Sequence, residues 1–222
     1  MALRNGRRYF GYWRDGSLTD ADTARRHAEV FLDALRGEGF AQTNLRPLFS
    51  NPPGLLRVDP YARSRRDRIG SGAGSNATAV WAAEKGMNLQ SSTLENDEGA
   101  LPLHVQQANQ IWAFRDAWKA AGHRRKPRLF VRRSIFILVD DRDRDYFGRG
   151  NRAEDSIGYI GETTRAIFGC SYAGEPDALI EALRKDEAIA EADLLLSTVP
   201  NCCRPCRTSW ASATTRTSPS RS

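Results

Sequence analysis

The chain lacks most of what membrane, secreted and metal-binding proteins are built from. Its 222 residues contain no apolar run of the about eighteen residues that a bilayer crossing needs, and the polar N-terminus has no signal-peptide pattern. It has only three histidines and four cysteines, and three of the cysteines crowd at positions 202, 203 and 206. That spacing gives no disulfide framework, and a second ligand pair for zinc is missing. We therefore expect a cytoplasmic protein without a metal site and without membrane contact.

An even distribution of charge is also absent. The net charge of +6 divides into +5 for residues 1–70, −3 for residues 71–200 and +4 for residues 201–222. A nucleic-acid interface needs basic residues on one face with aromatic residues between them. The basic runs at 63–68 and 123–126 fall in predicted loops instead, where solvated charge is common. We expect no nucleic-acid partner.

Glycine is concentrated at one informative place, the sequence GSGAGSNAT at residues 70–78, which leads directly into a helix-forming run. Glycines allow close approach of main-chain N–H groups, and the first turn of a helix has N–H groups without internal partners and a positive dipole end. Ser75 and Thr78 are three residues apart, so both hydroxyls can turn toward one anion. Two interpretations are open: a phosphate site, or a tight turn followed by an N-cap at Ser75.

The rest of the chain alternates between strand and helix patterns, which predicts an α/β fold with a parallel sheet and right-handed crossovers. Predicted helices cover residues 23–36, a segment starting at 76, 104–121, about 156–168, and 176–185. Predicted strands end at residue 72 and cover 87–92, 129–139 and 193–199, and residues 41–66 read as a long surface loop.

Hydrophobic spacing also predicts which side chains are buried. The first helix should bury one face, the long helix at 104–121 should bury another, and the apolar stretch 134–139 should be covered on both sides of its strand. The predicted inward residues are Ala24, Ala28, Phe31 and Leu35 in the first helix and Val105, Ala108, Ile111, Trp112 and Trp118 in the long helix. Cys170 is a candidate nucleophile, although a small buried thiol is the commoner outcome for such a residue.

Four segments resemble the luciferase-like family of flavin-dependent monooxygenases. They are GAGSNATAVWAA at 72–83, GMNLQSS at 86–92, PRLFVRRSIF at 127–136 and ADLLLSTVPN at 192–201. The resemblance covers roughly residues 23 to 201, and the 72–92 block is its most specific part. It departs from the family at Gly70 and Ser71, where close relatives usually have bulky apolar residues.

The resemblance implies a fold, a cofactor and a site. The family fold is an eight-stranded (β/α)8 barrel, the TIM barrel, in which the loop after the fifth strand holds the flavin phosphate. Carried over to this sequence, Ser75 and Thr78 would bind the phosphate of FMN by their hydroxyls and Gly74 would bind it by its backbone N–H. In some branches of the family a deazaflavin replaces FMN. The catalytic residues cannot be assigned, because the family places them on the early strands.

Only four strands are predicted, and they match the last four strands of the family barrel. A complete barrel takes about 250 residues. We therefore expect a partial TIM barrel, with an N-terminal helix and loop at 1–66, the C-terminal half of a barrel at 67–200 and a disordered tail at 201–222. The composition of the tail differs from that of the chain before it. When suitable codons for the tail are read in a neighbouring frame, they spell LLSTVPN, which repeats residues 195–201. A short duplication that shifted the frame near Asn201 is the resulting hypothesis, and the coding DNA would test it.

These expectations lead to three functions. The first is a flavin-dependent oxidoreductase that uses reduced flavin and O2 to oxidise a small organic substrate, with a separate flavin reductase supplying the reduced flavin. The second is a non-catalytic flavin- or phosphate-binding half barrel that works as a homodimer. The third is an inactive pseudogene product without a stable fold.

Overall fold

The structure, a computed structural model, describes residues 20–39, 42, 54–96, 99, 101–148, 154–160 and 164–198. The chain divides into two compact units, Met1–Arg68 and Ile69–Ser222. The predicted tail at 201–222, with its three cysteines, and residues 41 and 43–53 of the predicted loop at 41–66 lie outside the described residues.

The first unit contains helix α1, Asp20–Ala34, followed by a turn at Gly37. Gly37 has a φ of 86°, and a Cβ at this position would collide with the ring of Tyr61, so glycine is required there. The Tyr61 hydroxyl donates a hydrogen bond of 3.0 Å to the Arg36 carbonyl. The predicted buried face is wrong at Phe31, which is 50% exposed, because the helix instead buries Leu32 together with Leu35. Ala24, also predicted to face inward, is exposed.

The second unit contains the remaining elements. The strands are β1 (Gly70–Ala73), β2 (Asn88–Ser91), β3 (Leu94–Asn96), β4 (Leu129–Ile137), β5 (Ser156–Ile160), β6 (Thr164–Phe168), β7 (Tyr172–Gly174) and β8 (Leu194–Thr198). The helices are α2 (Asn76–Glu84), α3 (Leu103–Ala120), α4 (Pro176–Arg184) and α5 (Glu187–Glu191). A short helical turn at Asp141–Asp143 and a π-helical turn at Arg144–Gly148 follow β4.

The larger sheet is parallel throughout, as the alternation of strands and helices predicts. Its order is β1-β2-β4, with β8 paired to the first part of β4 and β7 paired to the end of β4. Strands β1, β2, β4 and β8 therefore follow one another in the sheet in the order in which the chain supplies them. The described residues thus form a mixed α/β structure in which the larger sheet is parallel.

The two faces of this sheet differ in burial. Paired residues of parallel strands project to the same face, and the row of Ala73, Ser91 and Val131 is no more than 1% exposed. The alternate residues of β4 are half-buried or exposed. Ile137 and Val139 are 54% and 67% exposed, so the expected burial of 134–139 on both faces is wrong at its carboxyl end.

A second sheet corrects another prediction. Residues 156–168 were expected to form a helix but form the antiparallel pair β5–β6, and β6 also pairs with β3 in the order β3-β6-β5. Ile157 and Tyr159 alternate with Gly158, a period of two that suits a strand, and glycine in mid-segment disfavours a helix. The pairing of β6 with β3 joins residues that are far apart in the chain, as in Glu95 with Ile167.

Helix α3 carries much of the core. Phe114 is 0% exposed, Ile111 is 1% exposed, and the rings of Phe114 and Trp118 stack with centroids 5.6 Å apart. Trp112, which was expected to face inward, is 50% exposed, because the helix turns a row of glutamines toward the interior instead. Neither α3 nor any other helix in the described part of the chain combines the length and apolarity that a membrane crossing requires.

Candidate functional site

The turn between β1 and α2 brings the two predicted hydroxyls together. Ser75 is the N-cap of α2, with extended backbone angles, and its Oγ accepts a hydrogen bond of 3.3 Å from the Thr78 N–H. Oγ of Ser75 and Oγ1 of Thr78 lie 3.1 Å apart. The turn stands at the carboxyl end of β1, the edge at which parallel sheets bind ligands. The N-cap interpretation is thus realised, and the pair of hydroxyls needed for the phosphate interpretation is present as well.

The geometry of the turn is compatible with a phosphate group. A Cβ built on Gly74 would meet no atom within 4 Å, so there is open space beside the backbone at the turn. Each hydroxyl carries one hydrogen, so whichever of Ser75 and Thr78 donates within the pair, the other can donate to an anion. The first turn of a nine-residue helix adds partial positive charge at the same place.

A cavity of about 470 Å³ is the second candidate feature, and the sequence did not predict it. It lies between the start of α3, the middle of β4 and the β5–β6 hairpin. Part of its lining, here called the apolar wall, consists of Leu101, Leu103, Ile157 and Ile167. Another part, here called the polar wall, contains Arg133, Cys170, Tyr172 and Asp186. The cavity therefore suits a small molecule with an apolar body and a polar end.

The polar wall is held by a buried ion pair. Arg133 and Asp186 are 3% and 2% exposed, and Arg133 Nε and Nη2 donate to the two carboxylate oxygens of Asp186 at 2.6 and 2.9 Å. The Tyr172 hydroxyl donates to the same carboxylate at 2.7 Å, and the Ile189 N–H does so at 3.0 Å, which caps α5. One carboxylate thus joins β4, β7 and the start of α5.

The protonation states of this network follow from burial and contact. Burial raises the pKa of Asp186, but the hydrogen bonds and charge of Arg133 outweigh it, so the pKa lies below its ordinary value. Burial, and then the hydrogen bond to Asp186, raises the pKa of Tyr172 far above its ordinary value. The phenol therefore remains a donor and the carboxylate an acceptor at neutral pH.

Asp155 connects two segments that line the cavity. Its Oδ2 accepts from the Leu103 N–H at 2.6 Å, at the start of α3, and its Oδ1 accepts from the Cys170 N–H at 2.8 Å. Sequence reasoning missed this residue, as it missed the Arg133–Asp186 pair. The available signal for the pair was the position of Arg133 within an apolar strand. An arginine side chain is rarely buried without a partner, so this position indicated a buried acidic residue nearby.

Cys170 is expected to react slowly at neutral pH. Burial, and then the nearby Asp155, raises the pKa of its thiol above the ordinary value, so little thiolate is present. Iodoacetamide should label the Cys170 peptide more slowly than free cysteine at about pH 8, near the ordinary pKa of a thiol, and the gap should narrow as the pH rises. Peptide mass spectrometry separates this residue from the other cysteines. Labelling as fast as that of free cysteine would contradict the assignment of a protonated thiol.

Strand β3 links the turn to the cavity. The Asn96 N–H donates a 2.8 Å hydrogen bond to the Gly74 carbonyl, and the Gly169 N–H donates one of the same length to the carbonyl of Thr93, which lines the cavity. The segment between Thr93 and Asn96 is therefore shared by both features. The turn and the cavity are neighbours at the carboxyl ends of β1 and β2.

Comparison with known proteins finds similarity to solved structures. No protein-family model and no curated protein matches the chain. Among solved structures, the chain is similar to the monooxygenase RslO1 from Streptomyces bottropensis, with 18% identity and a TM-score of 0.37. The match covers 58% of this chain and 38% of that protein, so the chain spans well under half of that protein's length.

Proposed function

We propose that this chain is the flavin-holding portion of a luciferase-like, flavin-dependent oxidoreductase. The observation that carries the proposal is the pair of hydroxyls of Ser75 and Thr78, 3.1 Å apart at the N-terminus of α2 and at the carboxyl end of a parallel strand. These are the residues that the sequence resemblance assigns to the flavin phosphate, together with the backbone N–H of Gly74.

The strand order supports the partial barrel that the proposal requires. In a doubly wound sheet the strand order reverses and helices cover both faces. Here β1, β2, β4 and β8 are parallel neighbours in chain order, and the fully buried apolar side chains of these strands lie on a single face. Successive right-handed crossovers place all their helices on one face, as in a (β/α)8 barrel.

In this proposal the residues of the chain bind and position, while the cofactor carries the redox chemistry. Reduced flavin supplies the reaction with O2, and FMN is the proposed cofactor, with a deazaflavin as the alternative. Gly74, Ser75 and Thr78 hold the phosphate, and the apolar wall of the cavity takes a small organic substrate and excludes water from it. A flavin reductase is the proposed partner that supplies the reduced cofactor.

A titration with FMN tests the phosphate contacts. The double substitution Ser75→Ala/Thr78→Ala should weaken FMN binding by about 2–4 kcal/mol, roughly thirtyfold to a thousandfold, because two hydrogen bonds to a charged group are lost. Quenching of flavin fluorescence measures the dissociation constant of each variant.

Substitutions of Ser75 provide the matched control. Asp and Asn are both good N-caps, so Ser75→Asp and Ser75→Asn should each keep α2 and the thermal stability of the protein. Only Ser75→Asp places a negative charge where the phosphate would sit, and it should weaken FMN binding far more than Ser75→Asn does. Equal binding by the two variants would show that the phosphate lies elsewhere.

A non-catalytic flavin- or phosphate-binding module is the second candidate. The polar groups of the cavity favour it, because Asp155 and Asp186 each accept hydrogen bonds from structural partners and the Cys170 thiol is protonated. FMN binding without any oxidation of substrate, when a flavin reductase and NADH are supplied, would support this candidate over the first.

A further inference from the structure

The larger sheet has one face that the described helices leave open. Gly72, Gln90, Phe130 and Leu194 form one row across β1, β2, β4 and β8, since each is paired with the next in register. Gly72 is exposed and the other three are half-buried, whereas the neighbouring row that contains Ala73, Ser91 and Val131 is fully buried at those three residues. We call the row of four residues the open row. Parallel sheets are almost always covered on both faces, so the open row needs a cover.

In the series β1, β2, β4 and β8, each of the two outer strands has one edge without a neighbouring strand among the described residues. In the described part of the chain, β1 pairs only with β2, and β8 pairs only with β4. Unpaired N–H and C=O groups on a strand edge favour the addition of another strand. β1 and β8 point in the same direction. A second copy of the chain, related to the first by a twofold rotation about an axis parallel to the strands, can therefore place a parallel strand beside both edges at once.

We propose that two copies of this chain associate across these edges, with β1 of each copy beside β8 of the other, to close one eight-stranded parallel barrel. Four strands from each copy give the strand number at which side chains can fill a barrel interior. The open row of each copy becomes part of that interior. Twofold symmetry makes the two edge contacts identical, so the assembly closes and does not grow further.

The side chains at the two edges complement one another in size. The β1 edge presents Gly70 and Gly72, and a Cβ at Gly72 would meet no atom within 4 Å. The β8 edge presents Leu194 and Leu196, both half-buried. Bringing the edges together places the leucines of one copy beside the glycines of the other, an arrangement of large beside small side chains that fills an interior.

The charge on the open face is located where a barrel tolerates it. Arg132 projects to the same face as Phe130 but lies two residues nearer the carboxyl end of β4, and its Nε donates to Thr198 Oγ1 at 2.9 Å. The carboxyl end of a parallel barrel is its solvent-filled, ligand-binding mouth. The arginines of both copies would therefore face that mouth, while the row below them is uncharged.

The mass of the full chain in solution tests the proposal. Light scattering coupled to size exclusion should give twice the 24.8 kDa mass of one chain. Leu194→Glu should raise the dimer dissociation constant by more than about a hundredfold, because two carboxylates would be buried in one interior. Ser197→Glu is the matched control, since this exposed residue of the same strand projects to the other face and the variant should stay dimeric.

Other results would overturn the proposal. A monomeric wild-type chain would show that the same chain covers its own open face. A series of assemblies larger than the dimer would show that the strand edges pair from copy to copy without closing a barrel. Dissociation by Ser197→Glu as readily as by Leu194→Glu would place the interface elsewhere. If Leu194→Glu does not fold, Gly72→Glu decides, because the space beside Gly72 lets the single chain accept the new side chain while the dimer cannot.

Discussion

Arg133→Met should destabilise the protein by about 3–5 kcal/mol. The substitution leaves the carboxylate of Asp186, which is 2% exposed, without its cationic partner, and an uncompensated buried charge is among the costliest defects a fold can carry. Arg132→Met on the adjacent residue is the control. Its side chain is exposed, so the free energy of unfolding should change by no more than about 0.5 kcal/mol. Urea unfolding followed by circular dichroism measures both.

A double substitution separates loss of the charge pair from loss of packing. Arg133→Met/Asp186→Asn removes both charges. The amide oxygen at position 186 can still accept from the Ile189 N–H, and the amide nitrogen, in place of the other oxygen, can donate to the Tyr172 hydroxyl oxygen. We expect the double variant to be more stable than Arg133→Met alone. A double variant as unstable as the single one would mean that packing of the arginine stem, and not the charge of Asp186, dominates the loss.

The same carboxylate should make the protein sensitive to acid. The pKa of Asp186 is lowered in the folded state, so its contribution to stability is present above the pKa of the unfolded chain and is lost as the pH falls through the folded value. The free energy of unfolding of the wild type should therefore fall below about pH 4, the ordinary range for Asp. Asp186→Asn should show a shallower decline over that interval. Identical slopes would contradict the lowered pKa.

Phe114→Ala should cost about 3–5 kcal/mol of stability. Its side chain is 0% exposed and stacks on Trp118, so removing the ring loses apolar burial and leaves a cavity in the core between α3 and its neighbours. The control is Trp112→Ala on the same helix. This ring is 50% exposed, and alanine has the best helix propensity, so the loss should be much smaller.

Thermal and urea unfolding of the two variants would compare the inward and outward faces of α3. Equal losses for Phe114→Ala and Trp112→Ala would mean that Trp112 is also covered in solution. The sequence pattern alone favoured Trp112 as a core residue, so this pair tests the orientation of the helix directly.

Local patterns predicted the elements whose structure depends on local interactions. The turn at 70–75, the helix that starts at Asn76 and the long helix α3 lie close to their expected bounds. Each has a local cause, either glycines before an N-cap or a long run of good helix formers. The two hydroxyls of Ser75 and Thr78 come together for the same reason, because residues three apart in a helix lie on the same side of it.

Contacts between distant segments account for the errors. The pairing of β6 with β3 joins distant segments, and no local pattern carries that information, although the alternation around Gly158 was a local signal for the strand β5 itself. The inward face of α3 contains Gln107, whose Nε2 donates to the Ser92 carbonyl at 2.5 Å. A hydrophobic pattern places apolar residues on the inward face of a helix, so it could not place this glutamine there. The Arg133–Asp186 pair spans 53 residues and could not be read from spacing.

The most direct test of the proposed function compares FMN with riboflavin, which lacks the phosphate, on the wild-type chain. If the turn at Gly74, Ser75 and Thr78 holds the phosphate, FMN should bind at least about a hundredfold more tightly, because charge-assisted hydrogen bonds are the strong ones. Isothermal titration calorimetry gives both dissociation constants. Equal affinities, or no binding of FMN by the folded chain, would contradict the proposal that this turn is a flavin phosphate site.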